Sequence, residues 1–272
     1  MFNRRRGEHH EDVGRIVLAI AAAWAAVTSG LLPPQRLPAR LPSRTVNVPI
    51  LMYHRVGKLP KVAGLYGAGL TVRPRAFAAQ MDWLHAHGFH AISMRQLFDG
   101  LEWGAPLPPR PVAITFDDGY RDVLWNAEPV LHRLHMPATA FIITDRVSGS
   151  DSSFLTWREL RDLERDGFTI GSHTVHHVDL AQLSPSQAWL ELSQSRRTLQ
   201  RRLGVSVPWF AYPAGEYDPQ VLGFVRRAGY LLAVTTHAGF AQSARQPFRL
   251  HRDEIIRGEG VAGLAALLQS AA

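Results

Sequence analysis

Six or more times between Val46 and Gln269, a short apolar or β-branched run gives way to a stretch with helical period. That alternation constrains the fold more than any other feature of the chain. Strands that alternate with helices pair in parallel, because each crossover helix returns the chain to the same end of the sheet. The strands read at 48–54, 89–93, 112–115, 138–144, 168–171, 207–212, 230–235 and 248–251. The helices read at 74–87, 94–101, 123–134, 156–166, 185–203, 218–227 and 263–269. Thr156 with Glu159 three residues on makes a capping box, and Ser184 caps the longest helix. In the helix at 123–134, Trp125, Val130, Leu131 and Leu134 are expected to face inward. On pattern alone, a closed or incomplete barrel and a doubly wound sheet fit equally well. Either architecture gathers chemistry at the C-terminal ends of its strands.

Those ends carry polar residues. The strand at 112–115 runs into Asp117-Asp118-Gly119, the one at 168–171 into His173-Thr174-Val175-His176-His177, the one at 48–54 into Tyr53-His54, and the one at 207–212 into Tyr212-Pro213-Ala214-Gly215. Taken singly, each has an ordinary explanation. Asp-Asp-Gly suits a turn, and a His at a strand end is more often structural. Four such clusters at four strand ends converge on one cleft. Two buried adjacent carboxylates are costly unless a cation or hydrogen-bond donors stand beside them. Two His at i and i+4 plus one carboxylate make a metal site with positions open for water and substrate. The chain has no Cys, so thiolate sites, disulfides and Cys nucleophiles are excluded, and zinc, iron, cobalt and nickel are all admissible. On this reading Asp118, His173 and His177 hold one divalent ion and Asp117 is free to act as general base. His54 is the candidate general acid. The turn at Pro213-Ala214-Gly215 offers a backbone donor to an oxyanion. The reaction class is metal-assisted hydrolysis of an amide or ester.

Charge separates the first 45 residues from the rest of the chain. The formal net charge is +7, and +4 of it falls in residues 1–45. Arg196-Arg197 and Arg201-Arg202 read as a solvated helix face, so no nucleic-acid partner is expected. Arg4-Arg5-Arg6 precede an apolar run, Ile16 to Val27, which is short for a membrane span and suits an export signal. Residues 1–32 are therefore expected to be a signal peptide or an uncleaved membrane anchor. Residues 33–45, with four prolines, form a tether, and 46–272 the catalytic domain. The protein is expected outside the cytoplasm, secreted or membrane-associated.

Thr115-Phe116-Asp117-Asp118-Gly119 together with His173-Thr174-x-x-His177 resembles the first two motifs of the polysaccharide deacetylases, the NodB-homology domain of carbohydrate esterase family four. The resemblance runs from about Val48 to Arg257. It implies a distorted or incomplete (β/α) barrel that removes N-acetyl groups from N-acetylglucosamine glycans. It matches Asp117 to the base and Asp118, His173 and His177 to the metal ligands. Tyr212, Pro213, Ala214 and Trp157 are carried over as substrate- or oxyanion-contacting positions. The segment 210–215 is similar to the third motif but departs from it. Ala211 stands where an Arg is usual and Ala214 where an aromatic is usual, so the base is expected to lack its Arg partner. The leader 48–56 resembles the subgroup that deacetylates poly-β-1,6-N-acetylglucosamine, in which the early Tyr-His supplies the acid. The segment 248–252 resembles that subgroup's late strand, and the late Leu-x-His of other family members makes His251 the rival acid to His54. The alternatives are a chitooligosaccharide or peptidoglycan deacetylase, or a catalytically weak carbohydrate-binding relative.

Overall fold

The computed structural model describes residues 44–59 and 68–269. The expected leader at 1–32 and nearly all of the tether lie outside them. Arg44 and Thr45, assigned above to the tether, belong to the folded unit. Strand β1 (Thr45–Asn47) pairs antiparallel with β11 (Ala241–Ser243), and Arg44 Nη1 donates to the Glu102 carbonyl at 2.6 Å.

The main sheet is parallel. It is formed by β2 (Ile50–Tyr53), β5 (His90–Ile92), β6 (Pro111–Phe116), β7 (Ala138–Ile142), β8 (Phe168–Ser172), β9 (Trp209–Ala211), β10 (Leu232–Val234) and β12 (Asp253–Glu254). Their order is β10-β9-β8-β7-β6-β2-β12, with β5 beside the first half of β6. A small parallel pair, β3 (Arg55–Val56) and β4 (Thr71–Val72), stands apart. The crossovers carry α1 (Pro74–Ala86), α2 (Met94–Trp103), α3 (Glu128–Arg133), α4 (Trp157–Arg165), α5 (Pro185–Leu203) and α6 (Pro219–Arg227), and α7 (Val261–Gln269) follows the last strand.

Alternation along the strands divides the core into two layers. Val112, Ile114 and Phe116 of β6 and Ala138, Ala140 and Ile142 of β7 join the cluster that includes Leu131, Leu160 and Leu163 of the helices. Ala113 of β6 and Phe141 of β7 join a second cluster, with Trp209, Ala211, Leu232 and Leu250, while Phe210 and Ala233 face a third with Leu192 and Val225 of the helices. The two layers are what a curled sheet with helices outside produces. Gly171 permits the curl at β8: a Cβ there would lie 2.4 Å from the Phe141 ring.

The curl nearly closes. The segment Phe248–His251, expected as a strand, makes only one bridge, Leu250 to Val234 of β10. Three residues later Asp253 pairs with Leu51 of β2. One short run therefore spans the gap between the two edges of the sheet, and it turns too sharply to pair along its length with either. The result is a curled, incomplete (β/α) barrel. The backbone amide of Arg252 donates to the His237 carbonyl at 2.9 Å, which fixes the middle of the run.

The cap predictions agree with the fold: Thr156 and Ser184 both close capping boxes, with Glu159 and Gln187. One helix differs. Residues 123–127 form a π-turn before α3, with the Glu128 amide reaching the Val123 carbonyl. The extra residue shifts the helical phase, and Trp125, expected inside, is 61% exposed. Of the arginines at 196–202, Arg196 is structural. Its Nε and Nη1 donate to the carbonyls of Val207 and Ala228, at 2.9 and 2.8 Å.

Candidate active site

Strand ends build the cleft. Met52 and His54 come from β2, Asp117 and Asp118 from β6, His173 from β8, Tyr212 and Ala214 from β9, Thr236 from β10 and Glu254 from β12. Together with Tyr120, Arg146, Phe154 and His177 they line a space of about 720 Å³.

Two adjacent carboxylates reach this cleft because β6 ends at Phe116 and the chain turns just after Asp117. Asp117 continues the inward-facing series Ala113, Thr115 of β6. The chain then turns through two left-handed residues, Asp118 at φ 74° and Gly119 at φ 85°. Asp is among the few side chains that tolerate this region. At Gly119 a Cβ would also press on the Ile142 side chain at 3.2 Å. The turn brings Asp118 back toward the side Asp117 already faces.

Their surroundings then diverge. Asp117 is held from behind by Arg252. Nη1 donates to Oδ1 and Nη2 to Oδ2, both at 2.7 Å, while the guanidinium Nε donates to the Thr235 carbonyl at 2.8 Å. Nη1 also donates to Thr115 Oγ1 at 3.2 Å. Arg252 has no exposure to solvent and Asp117 has 2%. A bidentate pair of this kind fixes both the charge and the plane of the carboxylate. Burial alone would raise the Asp117 pKa. The Arg252 guanidinium outweighs it, with help from His173, and holds the carboxyl well below the usual carboxylate range. The expectation from Ala211, that the base lacks an Arg, is therefore corrected. The guanidinium arrives from the segment that closes the barrel instead of from β9.

Asp118 is in the opposite condition. Its Oδ1 is buried with no hydrogen-bond partner among the described residues. His173 Nε2 lies 3.6 Å from that oxygen and His177 Nε2 lies 3.5 Å from it. Burial, and the neighbouring Asp117 charge, push the Asp118 carboxyl up to about 6 despite His54. Burial pushes the His173 imidazole down to about 3 and lowers His177 as well. His173 Nδ1 faces the Ala211 carbonyl at 2.8 Å. Because a carbonyl only accepts, Nδ1 carries the proton and Nε2 offers its lone pair to the cleft. Two neutral imidazole nitrogens and an orphaned carboxylate oxygen, all ligand atoms within 4.8 Å of one another, are a donor set that fits a divalent first-row cation.

His173 and His177 stand at the start and end of a tight loop. Thr174 and His177 are both left-handed, at φ 66° and 59°. The His177 amide donates to Thr174 Oγ1 at 2.9 Å.

The remaining expected residues separate. His54 lines the cleft, and its Nδ1 is buried with no hydrogen-bond partner among the described residues. His251 is not among the cleft-lining residues. Its ring packs beside Gly239, with the Cγ 3.4 Å from where a Gly239 Cβ would stand. Tyr212 is buried and donates from its hydroxyl to the Phe248 carbonyl at 3.1 Å. Pro213 is buried beneath the turn, and Ala214 sits at the cleft surface at φ 54°. Trp157, carried over as a substrate contact, lies outside the cleft. It is the first residue of α4, packs on the outer core cluster, and has the Arg202 guanidinium 5.4 Å from its ring. Sequence reasoning missed Arg252, Glu254, and the stacked Tyr120–Phe154 wall, whose ring centroids are 4.8 Å apart.

The comparisons with known proteins agree with this geometry. Residues 104–233 match the polysaccharide deacetylase family model. The chain is 30% identical over 227 residues to YxkH of Bacillus subtilis, whose name gives it the polysaccharide deacetylase family but no substrate. That match covers 84% of this chain and 78% of the relative. It is 26% identical to the poly-β-1,6-N-acetyl-D-glucosamine N-deacetylase of Staphylococcus aureus over 71% of this chain and 73% of the relative. Among solved structures, the Streptococcus pyogenes deacetylase PplD, in complex with acetate, superposes with a TM-score of 0.75 at 28% identity. The overlap covers 82% of this chain and 99% of PplD. IcaB from Ammonifex degensii superposes with a TM-score of 0.72 at 26% identity, covering 82% and 97%. Motif spacing, barrel topology and similarity over most of the chain lead to one assignment: the chain belongs to the polysaccharide deacetylase family of hydrolases.

Proposed function

We propose that the chain is a metal-dependent N-deacetylase that hydrolyses the acetamido groups of an N-acetylglucosamine polymer, with the β-1,6-linked polymer as substrate. The observation that carries the reading is the unequal treatment of Asp117 and Asp118. One is paired on both oxygens by Arg252, and the other keeps a buried oxygen open beside two imidazole nitrogens.

Asp118, His173 and His177 would hold the cation. When bound, a divalent cation supplies Lewis acidity and lowers the pKa of water from 15.7 to about 7. That acidity matters for Asp117, because a carboxylate held far below its usual range is a weak base. Its proton donor must itself be acidified. Asp117 accepts the proton of the attacking water, and Arg252 keeps the receiving oxygen in place. The developing oxyanion on the acetyl carbon is met by the backbone N–H of Ala214. His54 donates a proton to the departing nitrogen as the C–N bond breaks, which yields acetate and a free amine on the sugar. The Tyr120–Phe154 wall gives the glycan an aromatic face. Ala214 in place of an aromatic leaves the opposite wall low, and a flexible linkage between sugars is accommodated there.

One relative supports the β-1,6 choice over β-1,4: the Staphylococcus aureus enzyme, whose name gives that polymer as its substrate. A site outside the cytoplasm follows from the leader expected at 1–32, which could also associate with the membrane. The test is acetate release from β-1,6- and β-1,4-linked N-acetylglucosamine oligomers, with and without a chelator. The proposal expects faster release from the β-1,6 series, abolished by chelator and restored by a divalent metal. Release that prefers β-1,4 oligomers contradicts the substrate. Release that is indifferent to thorough chelation contradicts the metal.

A further inference from the structure

The loop between His173 and His177 is strained at two of its residues, and Thr174 Oγ1 satisfies only one of its amides. The next element in the chain supplies the rest. Glu191, in the second turn of α5, directs one carboxylate oxygen at two consecutive backbone amides. Oε2 accepts from Val175 N at 2.9 Å and from His176 N at 3.0 Å. The other oxygen, Oε1, meets His176 Nδ1 at 2.6 Å. Consecutive amides that converge on one anion form a nest, a geometry that binds negative charge tightly. The loop's carbonyls are secured from the other side, where the amides of Thr144 and Asp145 donate to Thr174 O and Val175 O, at 3.2 and 3.0 Å.

Glu191 does not line the cleft, and it lies 14 positions beyond His177 in sequence. It is anchored on a rigid support. Leu192, its neighbour in α5, is fully buried, and the Leu192 carbonyl accepts from the Tyr230 hydroxyl at 3.1 Å. One turn further on, Ser195 bonds to Ser172 at the end of β8, the residue before His173. The same helix therefore fixes both the strand that delivers the first imidazole and the loop that delivers the second.

We propose that Glu191 is a positioning residue for the metal centre: its carboxylate holds the 174–177 loop in the conformation that brings His177 Nε2 to Asp118. The inference rests on the reading that Asp118, His173 and His177 bind a divalent ion. Without the carboxylate, the two left-handed residues relax and His177 swings free, while His173 and Asp118 stay on their strands. The centre then drops from three preorganised ligands to two. Outer partners of metal ligands typically govern about 10- to 100-fold in affinity.

The test titrates the metal-free protein with Zn²⁺ or Co²⁺ against a chromophoric chelator. It compares the parent chain with Glu191→Ala, Glu191→Gln and His176→Ala. Glu191→Ala is expected to bind metal about 10- to 100-fold more weakly, with kcat recovered at saturating metal and KM for the oligomer unchanged. Glu191→Gln keeps one acceptor oxygen and should fall between it and the parent. His176→Ala removes only the ring contact and should lose no more than about threefold. Hydrogen exchange of the Val175 and His176 amides in the metal-free state gives a readout independent of metal, and both should exchange faster in Glu191→Ala. Circular dichroism establishes that each variant folds, and Glu191→Gln carries the test should the alanine variant not fold. Parent-like affinity in both Glu191 variants overturns the proposal, as does a lost kcat that saturating metal does not restore. A parent chain that binds no metal overturns the metal reading and this inference with it.

Discussion

The two sides of the cleft are assembled in different ways. One side consists of β6 and β8, whose ends carry Asp117-Asp118 and His173/His177 in short local motifs. The other is the run from Leu250 to Glu254, which bridges the open edges of the barrel and has almost no regular structure. The first side presents groups with unsatisfied capacity: a buried carboxylate oxygen and two imidazole nitrogens. The second side presents a heavily bonded one, since the Arg252 guanidinium directs four hydrogen bonds to Asp117, Thr115 and the Thr235 carbonyl. The contrast teaches that binding and orientation are separable duties. Open valence sits where a ligand must enter, and dense hydrogen bonding sits behind the group that must not move.

Removing Arg252 attacks the hydrogen-bonded side and should have the largest effect. Arg252→Ala leaves the Asp117 charge buried and unpaired, which costs about 3–5 kcal/mol of stability, measurable by denaturant unfolding. The sign of the pH effect follows from the depressed carboxyl. In the parent, Asp117 contributes stability that is present above the ordinary carboxylate pKa and is lost only as pH falls below that range. In Arg252→Ala the loss moves to higher pH, and the acid limb of kcat/KM moves up with it.

The proton donor comes next. His54→Ala should lose about 100-fold or more in kcat, whereas His251→Ala should stay within a few-fold, because only His54 lines the cleft. Equal, mild losses in both would dissolve the difference.

The open side is probed by protons. With Asp118 pushed up to about 6, metal affinity should be nearly flat above that pH. It should fall about tenfold per unit below it, as protons compete for the carboxylate. Affinity that is unchanged down to pH 4 would remove Asp118 from the ligand set. The smallest effect is expected at Trp157. Trp157→Ala should change kcat/KM by less than about twofold, since that ring packs on the outer core cluster and Arg202 away from the cleft.

Much of this arrangement was legible in the sequence because it is local. The strands at 112–115 and 168–171, the capping boxes and the His-x-x-x-His spacing all depend on residues within one turn or one strand. The partnership of Arg252 with Asp117 does not, since the two are 135 positions apart. Its only sequence signal was negative, the Ala at 211, and that position acquired a different job: the Ala211 carbonyl holds His173 Nδ1. The π-turn at 123–127 was also hidden, because one inserted residue leaves the apolar period intact on either side while rotating Trp125 outward. Glu191 read as one more polar residue on a helix, and nothing near it in sequence marks the loop amides it accepts.

The central claim is that Asp117 and Asp118 divide the work of the site. Metal content and acetate release, measured side by side on Asp117→Asn and Asp118→Ala, test it most directly. The account predicts that Asp117→Asn keeps one equivalent of divalent metal and releases no acetate, while Asp118→Ala loses the metal. Near-normal acetate release by Asp117→Asn, or full metal retention by Asp118→Ala, would contradict it.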